Sequence, residues 1–336
     1  MKNFQIITVL SIFISTNSFS NIKSNTEMIS KIEDLNTFAF GSCNDQSRAQ
    51  PLWPYIIKQK PQLWIWGGDN IYADTSRIEE LISKYQIQEN NPGYKALKKK
   101  TPIIGIWDDH DYGHDNATYK NHLKYQSQQL FLDFLNVESK TPRRIREGIY
   151  TSHSFGSRNK ELKFLMLDNR FFHSAPSADL LGEEQWNWLE NEFKYSTAKI
   201  HFIIAGLSVL SPRIPKSEEW ADHPEALNRL LALIKKYKTK GVVFLTGDKH
   251  FSSIFQRFDH LEFMSSGMTH TVPTKILRKY ISSKYPLAFF GKTYGEVNIH
   301  WNRTPLQISM NIRTTKASPI FIRKFKLVQN KWLPTR

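Results

Sequence analysis

The stretch LWIWGGDNIYAD, residues 63–74, carries the reading of the fold, because four apolar residues give way at a glycine pair to a compact polar signature. Short runs of this kind, rich in β-branched and aromatic residues, read as buried strands. Five more occur: TFAF (37–40), IIGIW (103–107), LKFLML (162–167), HFIIA (201–205) and VVFL (242–245). Polar signatures follow all six: GSCND (41–45), GGDNIYAD (67–74), DDHDYGHDN (108–116), DNR (168–170), GLS (206–208) and GDKH (247–250). Helical patterns lie between several strands. Leu181 to Phe193 places Trp186, Leu189 and Phe193 on one stripe, and Pro224 to Tyr237 places Leu227, Leu230, Leu231 and Ile234 on another. This alternation predicts an α/β layered fold. Ligands in such folds bind beyond the carboxyl ends of the strands, so the six loops are expected to converge. After Ser252, FMSSGM, GEVNIHW and LQISMNI alternate apolar with polar residues, as half-buried antiparallel strands do, and are expected to extend or pack against a second sheet.

With 336 residues, 40% hydrophobic and 13% aromatic, the chain can bury a large core, which excludes intrinsic disorder. Residues 1–20 combine Lys2, an apolar run from Ile6 to Ile14, and Ser18 and Ser20 at signal-peptidase spacing. They predict a cleaved bacterial secretory signal and a periplasmic or secreted protein. Residues 21–336 are then expected to form one domain with no stable membrane span after cleavage. Cys43 is the only cysteine, so it has no partner within the chain. A formal net charge of +15 favours anionic partners, although no basic-aromatic nucleic-acid recognition module is evident.

The six loops together offer Cys43, Asp69, Tyr72, Asp74, the aspartates from 108 to 115, His110, Asp248 and His250. So many gathered acids repel one another and rise in pKa unless cations neutralise them, and bound metal is the natural answer. Thiolate, phenolate and imidazole suggest a transition metal, whereas the surplus carboxylate and amide oxygens suit Ca²⁺, Mg²⁺ or Mn²⁺. A phenol ordinarily ionises near pH ~10 and becomes a ligand only beside a strong Lewis acid, so Tyr72 points to Fe³⁺. Each piece alone has an ordinary reading: Gly-Asp is a common turn, a lone cysteine is a small hydrophobe, and DDHDYGHDN lacks EF-hand spacing. Their order carries the inference.

That order, from GSC through GDNIYAD, WDDHDYG, LDNR and LGEEQWNWLE to GDKHFS, resembles the alkaline phosphatase D (PhoD-like) family of metallophosphoesterases between about Phe38 and His270. The resemblance implies a four-layered α/β/β/α sandwich of two mixed β-sheets flanked by helices, with Fe³⁺ and Ca²⁺, or other divalent metals, as cofactors. It implies Cys43, Asp69 and Tyr72 as iron ligands; the Asp-x-x-Tyr spacing is also similar to the iron-tyrosinate site of purple acid phosphatases, where the aspartate bridges two metals. Asp109 stands where the superfamily places a ligand of the second metal, and Asp248 and His250 also match ligands. His110 matches a general acid or phosphate-contacting residue, Arg170 an arginine near the phosphate, and Asn116 a ligand or phosphate donor. Asp108, Asp111, His114 and Asp115 are expected to orient these or add a calcium ligand, and His270 to be structural or to lie behind the ligands. Where the superfamily has a further histidine ligand, GLSVLS (206–211) offers only Ser208 and Ser211. The short lead before TFAF implies a compact branch without the N-terminal β-sandwich domain of larger members.

The reaction expected from this set is metal-dependent hydrolysis of a phosphate mono- or diester by a metal-activated water. A phospholipase D-like phosphodiesterase acting on lipid or envelope polymer, and a non-catalytic metal-dependent binder of polyanions, are the competing readings. The oligomeric state is not encoded in any of these features.

Overall fold

The computed structural model describes residues 24–335 apart from 158, 175–178, 216 and 286. The expected secretory signal, residues 1–20, lies outside them. The first three strands, β1 (Thr37–Gly41), β2 (Trp64–Gly67) and β3 (Ile103–Ile106), run parallel. The next six, β4 (Thr151–Phe155), β5 (Leu162–Met166), β6 (Ile200–Ala205), β7 (Val242–Thr246), β8 (Ser252–Arg257) and β9 (His260–Ser265), make a separate sheet in the order β4-β5-β6-β7-β9-β8. Strands β5, β6, β7 and β9 are parallel to one another, with β4 and β8 antiparallel at the edges. The last four, β10 (Tyr294–His300), β11 (Gln307–Arg313), β12 (Phe321–Val328) and β13 (Lys331–Pro334), return to the first sheet, giving the order β13-β12-β11-β10-β1-β2-β3. Both sheets are therefore mixed, and GEVNIHW and LQISMNI extend the first sheet while FMSSGM begins at the end of β9.

Alternation along the strands assigns each residue to a layer. In β5 and β6, Phe164, Met166, Phe202 and Ile204 point between the sheets, where Phe38 meets Phe164 and Phe202 edge-on at 5.3 and 4.9 Å, and Phe40 meets Phe263 at 4.9 Å. Their neighbours Leu165, Ile203 and Ala205 point the other way, onto a second core. This period of two is what a pleated strand imposes. Helices cover the outer faces. On the first sheet, α2 (Trp53–Gln59), α3 (Ile78–Asn90), α4 (Pro92–Lys98) and α6 (Lys124–Phe134) follow the short α1 (Asn25–Ser30) and flank the four-residue α5 (Asp109–Tyr112). Trp53 of α2 packs edge-on against Trp64 and Trp66 of β2 at 5.4 and 5.5 Å. On the second sheet lie α7 (Glu183–Lys194) and α8 (Pro224–Lys236), whose Trp186, Leu189, Leu230 and Ile234 meet the outward residues of β5 to β7. Both lie where the apolar periodicity predicts them. A final helix, α9 (Lys275–Lys284), stands beside the strand ends. The layers run helix, sheet, sheet, helix: the four-layered α/β/β/α sandwich. No helix among the described residues is long and apolar enough to cross a membrane.

Candidate metal centre

The seven parallel strands of the two sheets end on one side, and a few main-chain bonds hold the ends together. Ser42 N donates to Ser265 O (3.1 Å), and Gly247 N to Gly206 O (2.9 Å). The chain must turn sharply off each strand. Cys43 (φ 57°), Asp69 (φ 50°), Asp74 (φ 46°), Asn116 (φ 57°), Asp248 (φ 70°) and His250 (φ 58°) all take the left-handed conformation. For residues carrying a Cβ this costs about 1 kcal/mol or more each, and such strain persists where the surroundings demand it, commonly at functional sites.

Two groups of donors result. In the first, Cys43, Asp69 and His250 each bring a sulfur, oxygen or nitrogen within 4.8 Å of the others. Cys43 Sγ lies 3.3 Å from Asp69 Oδ2, and Tyr72 Oη lies 3.4 Å from the same oxygen and 3.1 Å from His250 Nε2. Asp69, Asp109 and His110 form the second group under the same limit. Asp69 belongs to both.

These donors are buried and electrostatically uncomfortable. Burial, with Asp248 adding to it, pushes the Cys43 thiol up to about 11 against hydrogen bonds from Ser266 and Ser42. Burial and the charges of Cys43 and Asp109 raise Asp69 well above the carboxylate range, and burial with Cys43 and Asp69 does the same to the Tyr72 phenol. Asp69 Oδ1, Asp109 Oδ1 and Asp248 Oδ2 are buried without a hydrogen-bond partner. A thiol, a phenol and the Asp69 carboxyl, all held toward their protonated forms in the protein alone, with three orphaned carboxylate oxygens among Asp69, Asp109 and Asp248, make a donor set that fits bound cations.

The other predicted residues take varied positions. His110 stacks on Tyr72 with ring centroids 4.0 Å apart, and its Nδ1 bonds Asp74 Oδ1 at 2.6 Å. Burial opposes the charge of its ring, but Asp74, Asp69 and Asp109 outweigh this and push it up to about 10. Asn116 meets Asp109 through its backbone, N to Oδ2 at 2.6 Å, while its side-chain amide donates to Asp115. Asp248 belongs to neither donor group. Arg170 is wholly buried: Nε bonds Asp108, one Nη bonds Glu218 Oε2 at 2.6 Å, and the other lies 3.6 Å from Asp109 Oδ1 without a hydrogen bond. Burial works against its charge, yet Asp108, Asp109 and Glu218 prevail and hold the guanidinium protonated. Asp111 accepts from the backbone N–H groups of Asp108, Asn70 and Ile71, so it braces two loops from beneath.

One contributor, Ser266, is invisible in the motif order, and His270, expected to be structural or behind the ligands, lies beside His250. Ser266 Oγ sits 3.0 Å from Cys43 Sγ and accepts from His250 N at 2.7 Å, and His270 Nε2 lies 3.2 Å from His250 Nε2. The fifth loop has no histidine because it serves otherwise. Val209 N, Leu210 N, Ser211 Oγ and Thr246 Oγ1 all donate to the buried Glu262 carboxylate. Gly206 at its start lets Asp108 approach: a Cβ there would come within 2.5 Å of the Asp108 carboxyl carbon, and one on Gly68 within 2.7 Å of Asp108 Cβ.

The chain is 24% identical over 271 residues to alkaline phosphatase D of Bacillus subtilis (strain 168), a match covering 64% of this chain and 46% of that one, so it spans less than half the length of this curated relative. Among solved structures, PhoD superposes with a TM-score of 0.70 at 20% identity, over 90% of this chain and 71% of that chain. Purple acid phosphatase PPD1 from yellow lupin seeds follows at 0.57 and 10% identity, over 87% and 54%. A dimetal phosphatase from Danio rerio gives 0.52 and 11% identity, over 84% and 98%. At these identities the structural likenesses establish the fold. The model of the PhoD-like phosphatase family matches residues 38–277, and the chain belongs to that family.

Proposed function

We propose that this chain hydrolyses phosphate esters with two metal cations held at the strand ends, and the observation that carries the reading is that Asp69 belongs to both donor groups. Cys43, Tyr72 and His250 would hold Fe³⁺ on one side of Asp69, and Asp109 would hold Ca²⁺ or another divalent cation on the other. Asp248, beside the first group with an orphaned oxygen, is its further candidate ligand. When bound, such a pair supplies Lewis acidity toward phosphoryl oxygens and lowers the pKa of water.

The chain's own residues supply the rest. Asp74 fixes the His110 ring through Nδ1, which leaves Nε2, 3.8 Å from Asp115, to carry a proton toward a departing alkoxide. Asn116 N holds Asp109 by one oxygen and leaves the other for a cation. Buried beneath the loops, Arg170 acts as the counter-ion that keeps Asp108 and Asp109 side by side and turns one unbonded N–H group toward Asp109. The substrate is a phosphate ester. The apolar run within residues 1–20 supports action outside the cytoplasm, in the periplasm or beyond, by a single domain spanning 21–336.

The test is metal analysis and a visible spectrum of purified protein alongside hydrolysis of aryl phosphate mono- and diesters. Iron with a tyrosinate charge-transfer band that disappears in Tyr72→Phe, and turnover reduced on the order of 10²-fold or more in Asp69→Asn, are the expected results. Metal-loaded protein that binds phosphate yet turns over neither ester would overturn the reading in favour of a binder.

A further inference from the structure

Helix α9 rises from the rim of the metal centre. Thr271 Oγ1 and Val272 N both donate to the carbonyl of His250, at 2.8 and 3.2 Å, and Arg278 Nε donates back to Val272 O at 2.8 Å. The Thr274 hydroxyl caps the helix by accepting from Leu277 N. The segment that carries His270 and leads into the helix is thus fastened to the loop that carries His250, but Ile281 is the helix's one buried residue. Ile276 is 86% exposed, and Leu277 and Tyr280 are also open to solvent. At 3.6 residues per turn, Lys275, Ile276, Lys279 and Tyr280 share the face opposite Ile281.

Its charge pattern is equally one-sided. Between Glu262 and Glu296 the sequence has five lysines and arginines (Lys275, Arg278, Lys279, Lys284 and Lys292) and no acid. The outer helices α7 and α8 pair their cations across the layer, Arg229 with Glu183 and Lys236 with Glu190. No ion pair among the described residues neutralises the cations of α9. A helix with lysines flanking exposed isoleucine and tyrosine fits the interface of an anionic bilayer, where basic groups meet lipid phosphates and apolar groups enter the acyl boundary. A dissolved polyanion would engage the lysines and leave Ile276 in water.

We propose that α9 docks the protein on an anionic lipid surface with the metal centre facing it. The substrate class is then phosphate esters presented at that surface, a point that rests on the hydrolase reading, whereas the docking itself does not. The experiment is co-sedimentation with phosphatidylcholine vesicles, with and without phosphatidylglycerol, alongside hydrolysis of a soluble aryl phosphate. Binding is expected only with phosphatidylglycerol, weakening with salt, and falling on the order of tenfold or more in Lys275→Glu/Lys279→Glu. Ile276→Ser/Tyr280→Ser is expected to weaken it severalfold, and both variants to keep wild-type aryl phosphate turnover. No binding to anionic vesicles, or binding untouched by the charge reversals, overturns the proposal. Loss with the charge reversals but none with Ile276→Ser/Tyr280→Ser overturns it too, in favour of a polyanion surface. Vesicle binding without turnover of any ester would sink the hydrolase reading and leave the docking intact.

Discussion

His110 separates two roles that its place in the loop leaves together. Its Nδ1 is committed to Asp74 and its ring to the face of Tyr72, so only Nε2 is available for chemistry. A residue that merely holds phosphate would affect esters alike, whereas a general acid matters most where the leaving oxygen is basic. His110→Gln is therefore expected to slow an alkyl ester on the order of 10²-fold or more and a nitrophenyl ester much less. Equal losses on both would assign His110 to binding. The neighbouring aspartates divide in the same manner: Asp109 keeps an oxygen free, while Asp108 is locked to Arg170 and Asp111 to three backbone N–H groups. No single-residue motif distinguishes them, because the difference arises from what lies behind each carboxylate.

At the scale of elements, strands β6 and β7 and the loop before β6 hold a histidine that takes no part in the centre. His201 donates from Nδ1 to Lys240 O and accepts at Nε2 from Ser196 Oγ, both at 2.7 Å, which defines a neutral ring. Burial pushes its pKa down to about 4, against an ordinary value near 6.5. The unfolded chain therefore binds the extra proton between those values, so this contribution to stability is complete above about pH 6.5 and is lost as the pH falls toward 4. Between pH 7 and pH 5 the loss from this group is on the order of 2 kcal/mol. Urea unfolding at both pH values should show a smaller difference for His201→Gln than for wild type; an unchanged difference would remove His201 as a source. The strands themselves were legible because LKFLML, HFIIA and VVFL are short, apolar and β-branched or aromatic. The sheet edges were not. In β12, Arg323 and Lys324 interrupt the alternation on an exposed strand, and α1 is placed by Asn25, whose amide meets Ile103 N and O at the edge of β3 across a long sequence separation. Glu262 reads as an ordinary strand residue, and its clamp on residues 209–211 exists only once β9 lies beside β7.

Across the whole molecule, the centre concentrates acids in a chain of net charge +15, at the place where two sheets converge. The convergence itself could be read from six polar signatures at strand ends, since parallel strands must all deliver their loops to one side. Which donors face each other could not, because it depends on left-handed turns at Cys43, Asp69 and His250 that no propensity encodes. Those turns, the raised pKa of Asp69 and the orphaned carboxylate oxygens all act against the folded state in the absence of cations. Cations that bind the folded chain and not the unfolded one stabilise it by mass action, about 4 kcal/mol when their concentration is about a thousandfold above Kd. For a protein of this size that corresponds to a fall in Tm on the order of ten degrees on stripping the metals with a chelator, with hydrolysis lost in parallel. The buried acids should also leave their mark: in the stripped protein folded Asp69 keeps a proton that the unfolded chain releases, so the Tm gap between loaded and stripped protein should narrow on mild acidification. Differential scanning calorimetry of loaded, chelated and reloaded protein at two pH values checks this. A chelated protein that melts where the loaded one does would mean that the acids are accommodated without cations, and the shared role given to Asp69 would fall with it.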